Sequence, residues 1–131
     1  MTVVLIADDD PGIRMLVHAT LDQAQLIVLE AEDGDQAWEL LTRHHPAVAV
    51  LDVRMPGLSG LDLAHAIKHD AALSGTHVIL LSGNAEADVM FEGASNADRY
   101  LTKPFSPRSL LAAVVDAIAR DTPSGARANV R

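Results

Sequence analysis

Asp52 closes the apolar run Ala47-Val48-Ala49-Val50-Leu51 and is followed at once by Val53-Arg54-Met55-Pro56-Gly57. A buried strand that ends on a carboxylate and breaks at Pro-Gly presents that carboxylate at the rim of a sheet. Asp8 and Asp9 end a second such run, Val3-Val4-Leu5-Ile6-Ala7. A third, His77-Val78-Ile79-Leu80-Leu81, ends on the hydroxyl of Ser82, and a fourth, Arg99-Tyr100-Leu101-Thr102, leads into Lys103-Pro104-Phe105. Acids, a hydroxyl and an amine at strand ends suit a metal ion and a phosphoryl group. An aspartate carboxylate can attack phosphorus and form an acyl phosphate. The charge on the phosphoryl oxygens must then be neutralised and the group held in line. Mg²⁺ fits that task, because it prefers oxygen ligands, keeps several waters and bridges carboxylate to phosphate. In this reading Asp9 and Asp52 supply carboxylate ligands, Asp8 a water-mediated contact and Arg54 its backbone carbonyl. Lys103 is a compact positive charge for one phosphoryl oxygen, and Ser82 is a hydroxyl donor for another. Without a cation such clustered acids repel one another, and some take up protons.

The elements that must position these groups are legible as short apolar runs alternating with segments of helical periodicity, the pattern of repeated βα units around a parallel sheet. Strands are predicted over 3–7, 26–31, 47–51, from 77 and over 99–102. The first helix is predicted to begin near Asp10-Pro11, with Ile13, Leu16, Val17, Thr20 and Leu21 on one face. A second, after Asp33-Gly34, carries Ala37, Trp38, Leu40 and Leu41 and stops before Pro46. A third covers 59–69 with Leu61, Leu63, Ala64 and Ile67, a weaker fourth 85–95, and a last one 107–120. Runs apolar on both faces suit strands covered by helices on each side. Five strands and five helices give an α/β three-layer flavodoxin-like sandwich with a five-stranded parallel sheet of order 2-1-3-4-5. In that order the first and third strands flank the topological switch point, where ligands bind beyond the carboxyl ends. Asp8, Asp9 and Asp52 converge there.

At 131 residues and 49% hydrophobic content the chain is one globular domain with a real core. The domain is placed at 1–120, and 121–131, without apolar periodicity, is read as a flexible tail or linker stub. A net charge of −8 argues against direct nucleic-acid binding, which needs a basic face. The short apolar stretch after Met1 runs into three aspartates and is read as neither a signal peptide nor a membrane span. The lack of cysteine fits a reducing, cytoplasmic location.

Four segments together resemble one family. Leu5-Ile6-Ala7-Asp8-Asp9-Asp10-Pro11, Leu51-Asp52-Val53-Arg54-Met55-Pro56-Gly57-Leu58-Ser59-Gly60, Leu81-Ser82-Gly83 and Tyr100-Leu101-Thr102-Lys103-Pro104-Phe105 look like the response-regulator receiver domain of bacterial two-component signalling. The resemblance implies that Asp52 accepts a phosphoryl group from a sensor histidine kinase or histidine phosphotransfer protein. It makes Asp8 and Asp9 the acidic pair for Mg²⁺, Ser82 the switch hydroxyl, Tyr100 the switch aromatic and Lys103 the phosphate-contacting lysine. It also implies a cis Lys103-Pro104 bond and an output to an unknown downstream protein or fused effector domain. The chain is then a signalling module that promotes transfer to its own Asp52 and slow hydrolysis there, not an enzyme acting on another substrate. The last helix lacks the arginine-rich pattern of the DNA-binding subfamily that dimerises through that face.

Plainer readings stand beside these. A lone acidic pair is usually a solvated helix start. Tyr100 can be simple packing, and His65 and His69, four apart, lack a third ligand and read as a surface pair. An Asp-nucleophile phosphatase of the haloacid-dehalogenase type wants a second aspartate two residues after the nucleophile, where this chain has Arg54. A degenerate receiver that binds a partner without phosphorylation is opposed by the presence of all five site residues.

Overall fold

The computed structural model describes residues 2–83 and 97–130 of the chain. In chain order the elements are β1 (Val3–Ala7), α1 (Pro11–Asp22), β2 (Ile27–Ala31), α2 (Gly34–His44), β3 (Val48–Asp52), α3 (Gly60–Lys68), β4 (His77–Ser82), β5 (Arg99–Thr102) and α4 (Pro107–Val130). All strand pairs are parallel, and the sheet order is β2-β1-β3-β4-β5, as the sequence predicts. Four helices lie among the described residues. The helix expected over 85–95 and Asn84 before it lie outside them.

Alternation along the strands divides the core between two faces of the sheet. Leu5, Ala7, Ala49, Leu51, Val78 and Leu80 pack with Ala37 and Leu41 of α2 and Leu63, Ala64 and Ile67 of α3. Val4, Ile6, Val48, Val50, Ile79 and Leu81 pack with Val17 and Leu21 of α1 and Leu110, Ala113, Val114 and Ala117 of α4. All of β3 is buried, which is why its sequence reads as an unbroken apolar run. The outer strand β2 keeps Ile27 and Glu30 exposed.

Each helix start carries its own signal. Asp10 caps α1 by accepting from the Gly12 amide, with Pro11 in the first turn. Asp33 caps α2 through the Gln36 amide, and Ser59 and Asp62 form a reciprocal capping box at α3. His45 ends α2 in the left-handed conformation. The α4 backbone continues to Val130, past the point where the apolar pattern runs out near 120. Pro123 and Gly125 lie within that continuation, so neither periodicity nor helix breakers marked it in the sequence. No helix among the described residues is long and apolar enough to cross a membrane.

Candidate functional site

Strand register puts the chemistry on one level. Ala7 pairs with Leu51, so Asp8, one residue on, is level with Asp52, the last residue of β3. Asp52 in turn pairs with Leu81, Ser82 with Thr102, and Lys103 follows. Because β1 and β3 are neighbours where the strand order reverses, Asp8 and Asp52 meet at the carboxyl edge of the switch point.

The side chains converge accordingly. Carboxylate oxygens of Asp8, Asp9 and Asp52 lie within 4.8 Å of one another. Asp8 is fully buried and Asp52 is 6% exposed, whereas Asp9 faces solvent. The Lys103 ammonium lies 2.8 Å from Asp8 Oδ2 and 3.2 Å from Asp52 Oδ1. Asp8 Oδ1 accepts from the Asp10 amide at 2.9 Å, and Asp52 Oδ1 accepts from the Arg54 amide at 3.4 Å. Burial, then the neighbouring Asp8 charge, raise the Asp52 pKa from 3.8 to about 6, with Lys103 and the Arg54 amide pulling the other way. Burial also works against the charge on Lys103, but contact with Asp8 and the charge of Asp52 outweigh it and raise its pKa.

The donor set fits a hard divalent cation. All side-chain ligands are oxygens, and three carboxylates against one ammonium leave negative charge to be balanced. Asp8 Oδ2 is buried and already faces a positive charge, the Lys103 ammonium 2.8 Å away. Such an oxygen is poised for a cation.

The other predicted residues fall around this cluster. Ser82 is buried at the end of β4, and its carbonyl accepts from the Lys103 amide at 2.7 Å. Tyr100 is half-buried on β5 and packs against the core that α2 and α3 share. Arg54 is exposed in the loop over 53–59, and the Lys103-Pro104 peptide is cis. His65 and His69 stack on the exposed face of α3 with centroids 4.1 Å apart.

Sequence reasoning missed three supports. A Cβ on Gly60 would stand 2.3 Å from the Asp52 carbonyl oxygen, so only glycine lets α3 begin this close to β3. A Cβ on Gly34 would stand 2.0 Å from the Leu58 carbonyl oxygen, and the Gly34 amide bonds the Pro56 carbonyl at 3.3 Å. These two glycines hold the loop after Asp52 from both sides. Arg14, on the first turns of α1, donates from Nη1 to the Asp8 carbonyl at 2.7 Å. Glycine after Asp33 and glycine at the start of the third helix were visible in the sequence; nothing there marked Arg14.

Comparison with known proteins agrees with this fold. Residues 4–115 match the family described as the response regulator receiver domain. The phosphate regulon transcriptional regulatory protein PhoB of Pseudomonas aeruginosa is 35% identical over 128 residues, covering 97% of this chain and 56% of that protein. Protein PilG of the same species is 34% identical over 92% of this chain and 90% of its own length. The chemotaxis response regulator CheY4 of Vibrio cholerae superposes with a TM-score of 0.82 at 30% identity, covering 89% of this chain and 98% of its own. The receiver domain of the Francisella response regulator 1452 gives a TM-score of 0.83 at 32% identity, over 92% of this chain and 98% of its own. The chain spans about half the length of the first curated relatives it matches.

Proposed function

Because this chain belongs to the response regulator receiver domains, signalling domains of two-component systems, we propose that Asp52 is its phosphoacceptor and that its donor is the phosphohistidine of a sensor histidine kinase or phosphotransfer protein. The observation that carries the proposal is the convergence of Asp8, Asp9, Asp52 and Lys103 at the switch point. In the transfer an Asp52 carboxylate oxygen forms a bond to phosphorus as the P–N bond to the donor imidazole breaks. The electron pair leaves with the imidazole nitrogen, which takes up a proton. In the metal-free site burial makes Asp52 more basic than an ordinary carboxylate, with a pKa of about 6. Asp8, Asp9, Asp52 and the Arg54 carbonyl would hold Mg²⁺. Bound there, the ion supplies neutralisation of the phosphoryl oxygens.

Lys103 leaves its carboxylate partners to contact one phosphoryl oxygen, and the Ser82 hydroxyl donates to another. Engagement of Ser82 and reorientation of Tyr100 change the surface around β5 and α4, which a downstream protein or a fused effector domain reads. The residues from 121 onward then lead away from the domain at 1–120 as a tail or linker. The site of action is the cytoplasm, where such kinases present their phosphohistidine.

Incubation with acetyl phosphate and Mg²⁺, followed by intact mass and peptide mapping, tests the proposal. One phosphoryl group on Asp52, lost in Asp52→Asn and withheld by chelator, is the expected result. Labelling of Asp52→Asn at the wild-type rate refutes the assignment of Asp52, and full labelling in excess chelator refutes the metal role.

A further inference from the structure

Asp8 is fixed at every polar atom it owns. Its amide donates to the Ala31 carbonyl at 3.2 Å, its Oδ1 accepts from Asp10, and its Oδ2 faces Lys103. The remaining atom, the backbone carbonyl, is held by Arg14 Nη1 at 2.7 Å. That carbonyl belongs to the peptide plane joining Asp8 to Asp9, and a planar peptide turns as one body. Whatever grips this oxygen therefore sets the direction in which Asp9 leaves Asp8. The gripping residue is itself held, since Arg14 Nε lies 3.5 Å from Glu30 Oε1 and the Arg14 side chain is 15% exposed. Glu30 Oε2 in turn meets His18 Nδ1 at 2.5 Å. A line of contacts thus runs from the exposed edge of β2, through Arg14, to the turn that carries both acids.

We propose that Arg14 is a positioning residue for the acidic pair: by clamping the Asp8–Asp9 peptide against α1, it aims the two carboxylates at one cation. The inference rests on the reading of these acids as Mg²⁺ ligands. Arginine suits the role because its planar fork reaches the carbonyl and Glu30 together, which a lysine ammonium at the same position does not do with fixed geometry. Charge and positioning make opposite demands here. A cation beside a divalent metal opposes its binding, so removing Arg14 tightens Mg²⁺ if charge alone matters. If the clamp matters more, removing it weakens Mg²⁺ although a repulsive charge has gone. Glu30 limits the repulsion by pairing with the guanidinium.

The test is calorimetric titration of the unphosphorylated full chain with MgCl₂, for wild type, Arg14→Met and Arg14→Lys, with far-ultraviolet circular dichroism on each. Amide exchange of Asp9 and Asp10 is measured alongside in the metal-free proteins. Weakening of Mg²⁺ by about tenfold in both variants is expected, the loss that partners behind metal ligands commonly produce. Faster exchange at Asp9 and Asp10 is expected with it. Wild-type or tighter affinity in a folded Arg14→Met overturns the proposal. If Arg14→Met does not fold, wild-type affinity in a folded Arg14→Lys overturns it equally. Failure of wild type itself to bind Mg²⁺ strikes the metal reading instead, so the two failures are distinguishable.

Discussion

Replacing Asp52 with asparagine is expected to stabilise the metal-free protein, and to do so only above a definable pH. Burial and the Asp8 charge raise the Asp52 pKa from 3.8 to about 6, so the folded state holds its proton more tightly than the unfolded chain does. A raised carboxyl pKa means that ionisation costs the fold free energy. The cost is fully present above the folded value and disappears as pH falls towards the unfolded one. At about 1.4 kcal/mol per pKa unit the full cost is about 3 kcal/mol. It is roughly halved at about pH 5 and mostly gone at about pH 4. With Asp52 only 6% exposed, solvent screening takes little from these figures. Groups away from the site titrate alike in both proteins, so the difference reports Asp52 together with its coupling to Asp8 and Lys103. The assay is urea unfolding of wild type and Asp52→Asn in chelator, from pH 8 down to 4. A mutant no more stable than wild type at pH 8 refutes the reasoning. So does a gain that fails to shrink towards pH 4. Added Mg²⁺ should oppose the gain, since ligand binding stabilises the folded wild type.

Gly60→Ala should cost about 2–3 kcal/mol in urea unfolding, because its methyl group meets the Asp52 backbone at 2.3 Å and neither segment can give way cheaply. Acetyl phosphate labelling of the folded fraction should slow with it. Lys103→Met leaves two buried carboxylates without their ammonium, so the metal-free protein should lose about 1–3 kcal/mol in the same assay. Calorimetry should at the same time show tighter Mg²⁺, with a competing cation gone. Arg54 is exposed and carries only donors, so it covers a phosphoryl group better than it orients an attacking water. Radiolabel chase of phosphorylated Arg54→Asn should show decay faster than wild type, and equal lifetimes would remove Arg54 from the account.

The sheet and its order were legible because the three inner strands are buried on both sides and therefore read as unbroken apolar runs. The acids, the serine and the lysine were legible because each stands where such a run stops, and parallel register turns those stops into one row. Gly34 and Gly60 acquire meaning only from what lies opposite them. The need for an absent side chain is a property of two distant segments, not of either one. Arg14 sits on a helical turn whose apolar neighbours explain the helix completely, and its reach back to Asp8 depends on a rotamer no pattern encodes. Past residue 120 the helix continues through Pro123 and Gly125, where local rules predict an end.

The lysine bridging Asp8 and Asp52 means that the acidic cluster carries its own counterion. On the proposed reading, loading with Mg²⁺ is an exchange of one counterion for another, and its free energy is a difference: attraction to three carboxylates less the cost of lifting an ammonium off two. Modest affinity follows from that subtraction, without any weakness in the ligands themselves. In such an exchange the acids are never left bare. The displaced ammonium, still tethered beside Ser82 by the Lys103 amide, is then free to meet an incoming anion. Cation arrival and anion capture become successive halves of one substitution, ordered by a single side chain.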